Sequence, residues 1–273
     1  LRANAFYDVN EIVIDGCNFS DVKTPLVSAN KREWNLKGLT IKNSVVQFNA
    51  PTGIDSYIHW YGNSKNEGSI KDIVIEGSTL YNIVESNENY FLRYANNSNS
   101  QAQKAWPTPQ FDGMSSWTMK NNTIVNLPSK KNFANNYPNK NPLHVFTWTG
   151  NIFYNTSLLQ KAIQSNVVTF TNADNAICGI TQAVDNTDKE KFATEDTLLC
   201  KGDAPLVVPT KAFDFNVEAL AANFTPSEKS YAGKKGFGDP RFALEPFEGW
   251  DFTAINEADT VGYVAAESNL EGA

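Results

Sequence analysis

The stretch "IVIDGCNF", residues 12–19, sets apolar residues at alternate positions and then turns on a glycine. The same frame returns as "LTIKNSVV" from Leu39, "IVIEGSTL" from Ile73, "WTMKNNTI" from Trp117, "FTWTGNIF" from Phe146 and "VTFTNADN" from Val168. Superimposed, these segments resolve into columns. The first (Ile12, Leu39, Ile73, Trp117, Phe146, Val168) and the third (Ile14, Ile41, Ile75, Met119, Trp148, Phe170) are wholly apolar, while the second (Val13, Thr40, Val74, Thr118, Thr147, Thr169) is β-branched throughout. Side chains of a strand alternate between its faces, so the pattern predicts strands with one face in a core and the other outward.

The fourth column reads Asp15, Lys42, Glu76, Lys120, Thr149, Thr171, and strands lying side by side in this order bring no like charges together. The fifth reads Gly16, Asn43, Gly77, Asn121, Gly150, Asn172, the two residue types that best tolerate positive φ. Every repeat therefore closes on a tight corner. Third-column residues lie 27, 34, 44, 29 and 22 positions apart, which suits one turn of a strand solenoid with the excess placed in loops. A second strand also repeats: "SYIHWYGN" from Ser56 aligns with "NYFLRYAN" from Asn89 and with "KTPLVSAN" from Lys23, their closing asparagines Asn30, Asn63 and Asn96 evenly spaced. The chain is expected to be all-β, with at least two parallel strands in each coil.

The coil pattern "IVIEGSTLYNI…NYFLRY" and the late "GFGDPRF", Gly236 to Phe242, resemble the right-handed parallel β-helix of the pectin-lyase-like superfamily, and in particular secreted β-helix domains of Bacteroidota. The resemblance covers roughly residues 8–242. The repeat stops near Asn186, so a solenoid is expected over 1–185 and, because its open end needs covering, a less regular cap over 186–273 with one or two amphipathic helical turns near Val217 to Asn223 and an acidic tail. The start directly in a coil suggests that coils preceding Leu1 are missing.

A net charge of −7 argues against nucleic acid, which needs clustered Lys and Arg, and no apolar run is long enough to span a bilayer. Among the three cysteines, a Cys178–Cys200 bridge and free thiols stand as equal alternatives. No GxSxG, HExxH, P-loop or GxGxxG motif occurs; "GKKGFG" has no strand before it, and the two histidines, His59 and His144, read as ordinary structural residues.

Insertions carry more information, because loops leaving equivalent corners of a solenoid gather on one side. Residues 96–116 and 128–143 are rich in Asn and hold Trp106 and Tyr137. Aromatic rings pack on the C–H faces of sugars and amides pair with their hydroxyls, so these loops suit carbohydrate, although Trp106 beside Pro107 would equally pin its loop to the coil. An outward Arg93 places Trp60 outward beside it on the neighbouring coil, a pair able to grip an acidic sugar, or simply to cover one another. The same parity sends Tyr57, His59 and Tyr61 inward with Tyr90, Leu92 and Tyr94.

Pectin-lyase-like enzymes commonly cleave uronate polymers by β-elimination, using an Arg or Lys base and often calcium held by acids. Arg93 and Lys71 are the catalytic candidates this implies, with scattered acids such as Asp55, Glu85 and Asp112, but no compact acid cluster and no residue-by-residue match to the family's lyase motifs. Sequons at Asn18, Asn96, Asn121, Asn155 and Asn223, and "DTL" and "DTV" at Asp196 and Asp259, point outside the cytoplasm. The expected function is extracellular or outer-membrane-surface engagement of polysaccharide, as a glycan-binding component, with other outer-membrane glycan-uptake proteins as candidate partners. A polysaccharide lyase, with calcium, and a structural or adhesive surface solenoid are the alternatives.

Overall fold

The computed structural model describes residues 2–3, 8–29, 35–50, 56–60, 69–84, 90–94, 115–127, 134–136, 144–156, 167–178, 197–200 and 218–246. The protein is mostly β, and every strand pairing among these residues is parallel. The strands form three sheets. Sheet I is built of β1 (Arg2–Ala3), β4 (Val27–Ala29), β7 (Ser56–Trp60), β10 (Tyr90–Tyr94) and β13 (Ala134–Asn136). Sheet II holds β2 (Asp8–Asp15), β5 (Asn35–Lys42), β8 (Ser69–Glu76), β11 (Ser115–Lys120), β14 (His144–Thr149) and β16 (Val167–Ala173). Sheet III holds β3 (Asn18–Val22), β6 (Val45–Phe48), β9 (Thr79–Asn82), β12 (Thr123–Val125), β15 (Ile152–Tyr154), β17 (Asn175–Cys178) and β18 (Thr197–Cys200). From β1 to β15 successive strands enter the three sheets in turn, while the described strands that follow, β16, β17 and β18, belong to the second and third sheets alone.

Sheet II carries the repeat that the sequence displays. Ile12 pairs with Leu39, Leu39 with Ile73, Ile73 with Trp117 and Trp117 with Phe146, so the first apolar column is a physical ladder. Leu39, Ile41, Ile73, Ile75, Trp117, Met119, Phe146 and Trp148 are all buried in one core that also takes Val46, Leu80, Ile124 and Phe153 from sheet III and Ile58, Phe91 and Leu92 from sheet I. Its filling changes along the ladder from aliphatic to aromatic. Trp117 meets Phe146 and Trp148 edge to face, at centroid distances of 5.3 and 4.9 Å, in the offset geometry that aromatic quadrupoles favour.

The sixth repeat sits two residues further on than the sequence alignment puts it. Phe170, not Val168, pairs with Phe146, and Asn172 pairs with Trp148; the pairing opens on a one-residue irregularity, His144 facing Val167 but Val145 facing Thr169. The corner residue of that repeat is consequently Asp174, with φ of 52°, in place of Asn172. The other five corners stand where expected: Gly16, Asn43, Gly77, Asn121 and Gly150 all have positive φ. Outside the core, Lys42 bridges to Asp15 at 3.3 Å and Lys120 to Glu76 at 3.7 Å, which realises the alternating fourth column.

Of the C-terminal segment, β18 adds to the end of sheet III, and the described residues 218–246 pack on the outer face of that sheet. A 3-10 turn (Glu218–Leu220), α1 (Ala221–Phe224) and α2 (Tyr231–Lys235) lie along the outer face of sheet III. There Leu220, Phe224, Tyr231, Ala232, Phe237 and Phe242 bury themselves against Val45, Tyr81, Val125, Ile152 and Ala176, one residue from each of five successive strands. The reason is legible in those strands: β6, β9 and β12 are buried at every position, so their outward residues need a cover as much as their inward ones. Ser230 caps α2 by accepting from the Gly233 N–H, and Gly236 in the left-handed region ends it. Of the amphipathic turns expected near residues 217–223, the structure shows the 3-10 turn and α1.

Candidate functional site

Two corners of the repeat hold the residues of interest, and they are built in different ways. At the corner from sheet II to sheet III the connection is always short: Gly16 and Cys17, Asn43 and Ser44, Gly77 and Ser78, Asn121 and Asn122, Gly150 and Asn151. The second residue of each pair starts an internal polar ladder. The Asn122 amide donates to Asn151 Oδ1 at 2.9 Å and the Asn151 amide to Asn175 Oδ1 at 2.8 Å. Each of these asparagines also donates to the last turns of the neighbouring strand, at the carbonyls of Ile75, Met119 and Trp148. Their oxygens accept in addition the backbone N–H groups of Ser78, Asn122 and Asn151, while Ser44 and Ser78 do the same by hydroxyl for Cys17 and Ser44. A small polar side chain is required here because the corner's backbone groups are buried away from water and need partners.

"GFGDPRF" crosses this corner perpendicular to the strands. Gly238 N donates to the Gly150 carbonyl, Asp239 N to Thr123 Oγ1, and Thr79 Oγ1 to Asp239 Oδ2, stepping from a later repeat to an earlier one. The Asp239 carboxylate is fully buried, and the Arg241 guanidinium forks onto it through Nε and Nη2. Beyond that pair Arg241 donates to the carbonyls of Asn43 and Ser44 at 2.9 Å each. Gly238 is where only glycine fits: with φ of 99° an added Cβ would stand 2.7 Å from Thr123 Oγ1 and 2.8 Å from Ile152 Cδ1. The segment is a clasp. Neither its role nor the Asn ladder was read from the sequence, although the ladder's column (Cys17, Ser44, Ser78, Asn122, Asn151, Asn175) is small and polar throughout once the sixth repeat is in register.

The corner from sheet I to sheet II is of variable length. Its connections are 4–7, 30–34, 61–68, 95–114 and 137–143, between β1 and β2, β4 and β5, β7 and β8, β10 and β11, and β13 and β14. All four carbohydrate candidates map to it. Trp60 is the last residue of β7 and Arg93 the last but one of β10; Trp106 falls in 95–114 and Tyr137 is the first residue after β13, both outside the described residues. Lys71, half-buried in β8, stands just after the corner on sheet II, so it and Arg93 belong to different sheets. Asp55, Glu85 and Asp112 also lie outside the described residues.

The register corrects one expectation. Trp60 lies opposite Tyr94, and Arg93 lies opposite His59 and Asn135, so Trp60 and Arg93 are not lateral neighbours. The similar strings suggest a repeat of 33, but sheets II and III on either side pair this repeat at 34, Asn35 with Ser69 and Val45 with Thr79, and sheet I follows them. Tyr57 and Leu92 are buried as expected, whereas His59 and Tyr90 are half-buried; His59 Nδ1 sits 3.1 Å from Ser56 Oγ.

Among the described residues no group of three His, Cys, Asp or Glu side chains is placed to hold a metal ion, and no helix is long and apolar enough to cross a membrane. Comparison of the chain with protein-family models, with curated proteins and with solved structures finds no match.

Proposed function

We propose that the chain is a right-handed parallel β-helix of the pectin-lyase-like kind, working outside the cell or on an outer-membrane surface, and that it binds polysaccharide along the corner between sheets I and II. What supports the architecture is the cyclic strand order, β1 to β15 visiting sheets I, II and III in turn, with parallel pairing among all described strands. The observation that carries the function is that Trp60, Arg93, Trp106 and Tyr137 all fall in or beside the connections from sheet I to sheet II, the corner whose connections vary most in length among the described strands. A linear glycan running across successive repeats would meet an aromatic residue at several of them, each ring supplying a flat apolar face and Arg93 a partner for a sugar carboxylate.

The test is a glycan array on the purified chain, with and without calcium, following unsaturated product by ultraviolet absorbance on every uronate polymer included. Binding without product, weakened on the order of tenfold by Trp60→Ala or Trp106→Ala, is the expected result. Product formation abolished by Arg93→Ala or Lys71→Ala would make the chain a lyase instead. Neither binding nor product would leave a structural or adhesive solenoid.

A further inference from the structure

We propose that Cys178 and Cys200 form a disulfide that staples the last strand of sheet III. The pairing of β17 with β18 sets Cys178 directly opposite Cys200, and each is the final residue of its strand. Neighbouring strands lie about 4.8 Å apart, inside the Cα separation of about 4.4–6.8 Å that a disulfide spans. Cys17, the third cysteine, is excluded as a partner by topology. It adjoins β3 at the opposite end of sheet III, and its thiol donates to the Asp15 carbonyl at 3.3 Å.

The position gives the bond its purpose. β18 closes the order of sheet III, and the last described strands of sheets I and II, β13 and β16, belong to earlier repeats. An edge strand held by a single ladder is the least secure element of such a sheet. A bond between the two strand ends links the chain from Cys178 to Cys200 into a covalent ring and so lowers the entropy that β18 gains by detaching. It forms by exchange: each thiol gives up its proton, and the pair gives two electrons to an incoming disulfide, such as oxidised glutathione, which leaves as two thiols.

The full chain is incubated in glutathione buffers of graded redox ratio, denatured without reductant, alkylated and mapped by mass spectrometry. A single alkylated cysteine, Cys17, together with a linked peptide joining Cys178 to Cys200, is the expected result, and prior reduction should restore three alkylated sites. Three free thiols at oxidising ratios, a link involving Cys17, or stable glutathione adducts on separate cysteines would each overturn the proposal. A second measurement reads the stapling: the oxidised chain should melt several degrees above the reduced one, a difference absent from Cys178→Ser and Cys200→Ser. A bond that forms without that difference would overturn the stapling role. Both readouts are independent of glycan binding, so the two proposals fail separately.

Discussion

At the corner between sheets II and III five repeats make the turn with two residues each, while at the corner between sheets I and II the same repeats use connections as different as 30–34 and 95–114. The difference lies in what the corner residues do for the next repeat. Asn122, Asn151 and Asn175 bond to one another and to the strand ends in a fixed register, so one added residue would strip several buried groups of partners at once. Gly238, Asp239 and Arg241 then tie four of these corners together from outside. Lengthening a surface connection, by contrast, costs only a slowly growing loop-closure entropy. One corner holds the molecule together and the other is free to vary, which is where recognition can be added without cost to the fold.

Breaking the fixed corner should therefore have the largest effects. Arg241→Met leaves the buried Asp239 carboxylate without its guanidinium, and a loss of about 3–5 kcal/mol is expected in urea unfolding. An unchanged midpoint would mean that the clasp is ornamental and that the apolar strap alone holds to sheet III. Asn151→Ala removes two donated and two accepted hydrogen bonds from the middle of the ladder, and should cost about 2–3 kcal/mol by the same measurement. Asn121→Gly, one position before the ladder residue Asn122, should be neutral or slightly stabilising, because Asn121 already holds a φ of 53° that glycine adopts without strain.

How much of this the sequence revealed follows the same division. Columns one, three and five were legible because a period of two and a positive-φ corner leave direct residue signatures, as with Ile41 between Ile14 and Ile75. The sixth repeat is harder to place because no Gly or Asn marks its corner, and only the pairing of β16 with β14 shows that Asp174 takes it. Trp60 was matched to Arg93 because similar strings outweighed the spacing set by the flanking sheets. "GFGDPRF" was recognisable as a signature, but its meaning was not: Asp239 meets Thr79 and Thr123, more than a hundred positions away, and a local pattern carries no trace of that. Of the candidate site the sequence supplied the residue types and the corner, not the neighbours.

Smaller effects test the outer face of sheet III. Tyr81 is buried beneath the strap, and burial pushes its hydroxyl up to about 12 against the Gln47 amide that donates to it. A tyrosine in the unfolded chain ionises near pH 10, so the folded state holds the proton longer and stability falls as pH rises from about 10 to 12. Tyr81→Phe should cost about 1 kcal/mol at neutral pH and flatten that alkaline fall. Replacing 97–112 by a link long enough to match the neighbouring connection 61–68 should change stability by under about 1 kcal/mol while abolishing glycan binding. Loss of folding on that replacement would assign the long connection to the scaffold and undo the contrast between the corners.

The smallest expected effect comes from Asp15, an aspartate at the same corner as Asp239 but on its wet side. Asn43 donates to its carboxylate at 3.0 Å and Lys42 bridges to it, and these hold its pKa below the usual value despite some desolvation. A depressed folded pKa contributes stability that is present above the unfolded value and disappears as pH falls through the folded one. Asp15→Asn should therefore leave the melting temperature unchanged at neutral pH and remove only a slight acid dependence, because an exposed pair is screened by water and salt. Should Asp15→Asn instead destabilise the chain as much as Arg241→Met, charge alone and not burial would set the strength of the corner, since the two carboxylates differ chiefly in that Asp239 is fully enclosed and Asp15 is not.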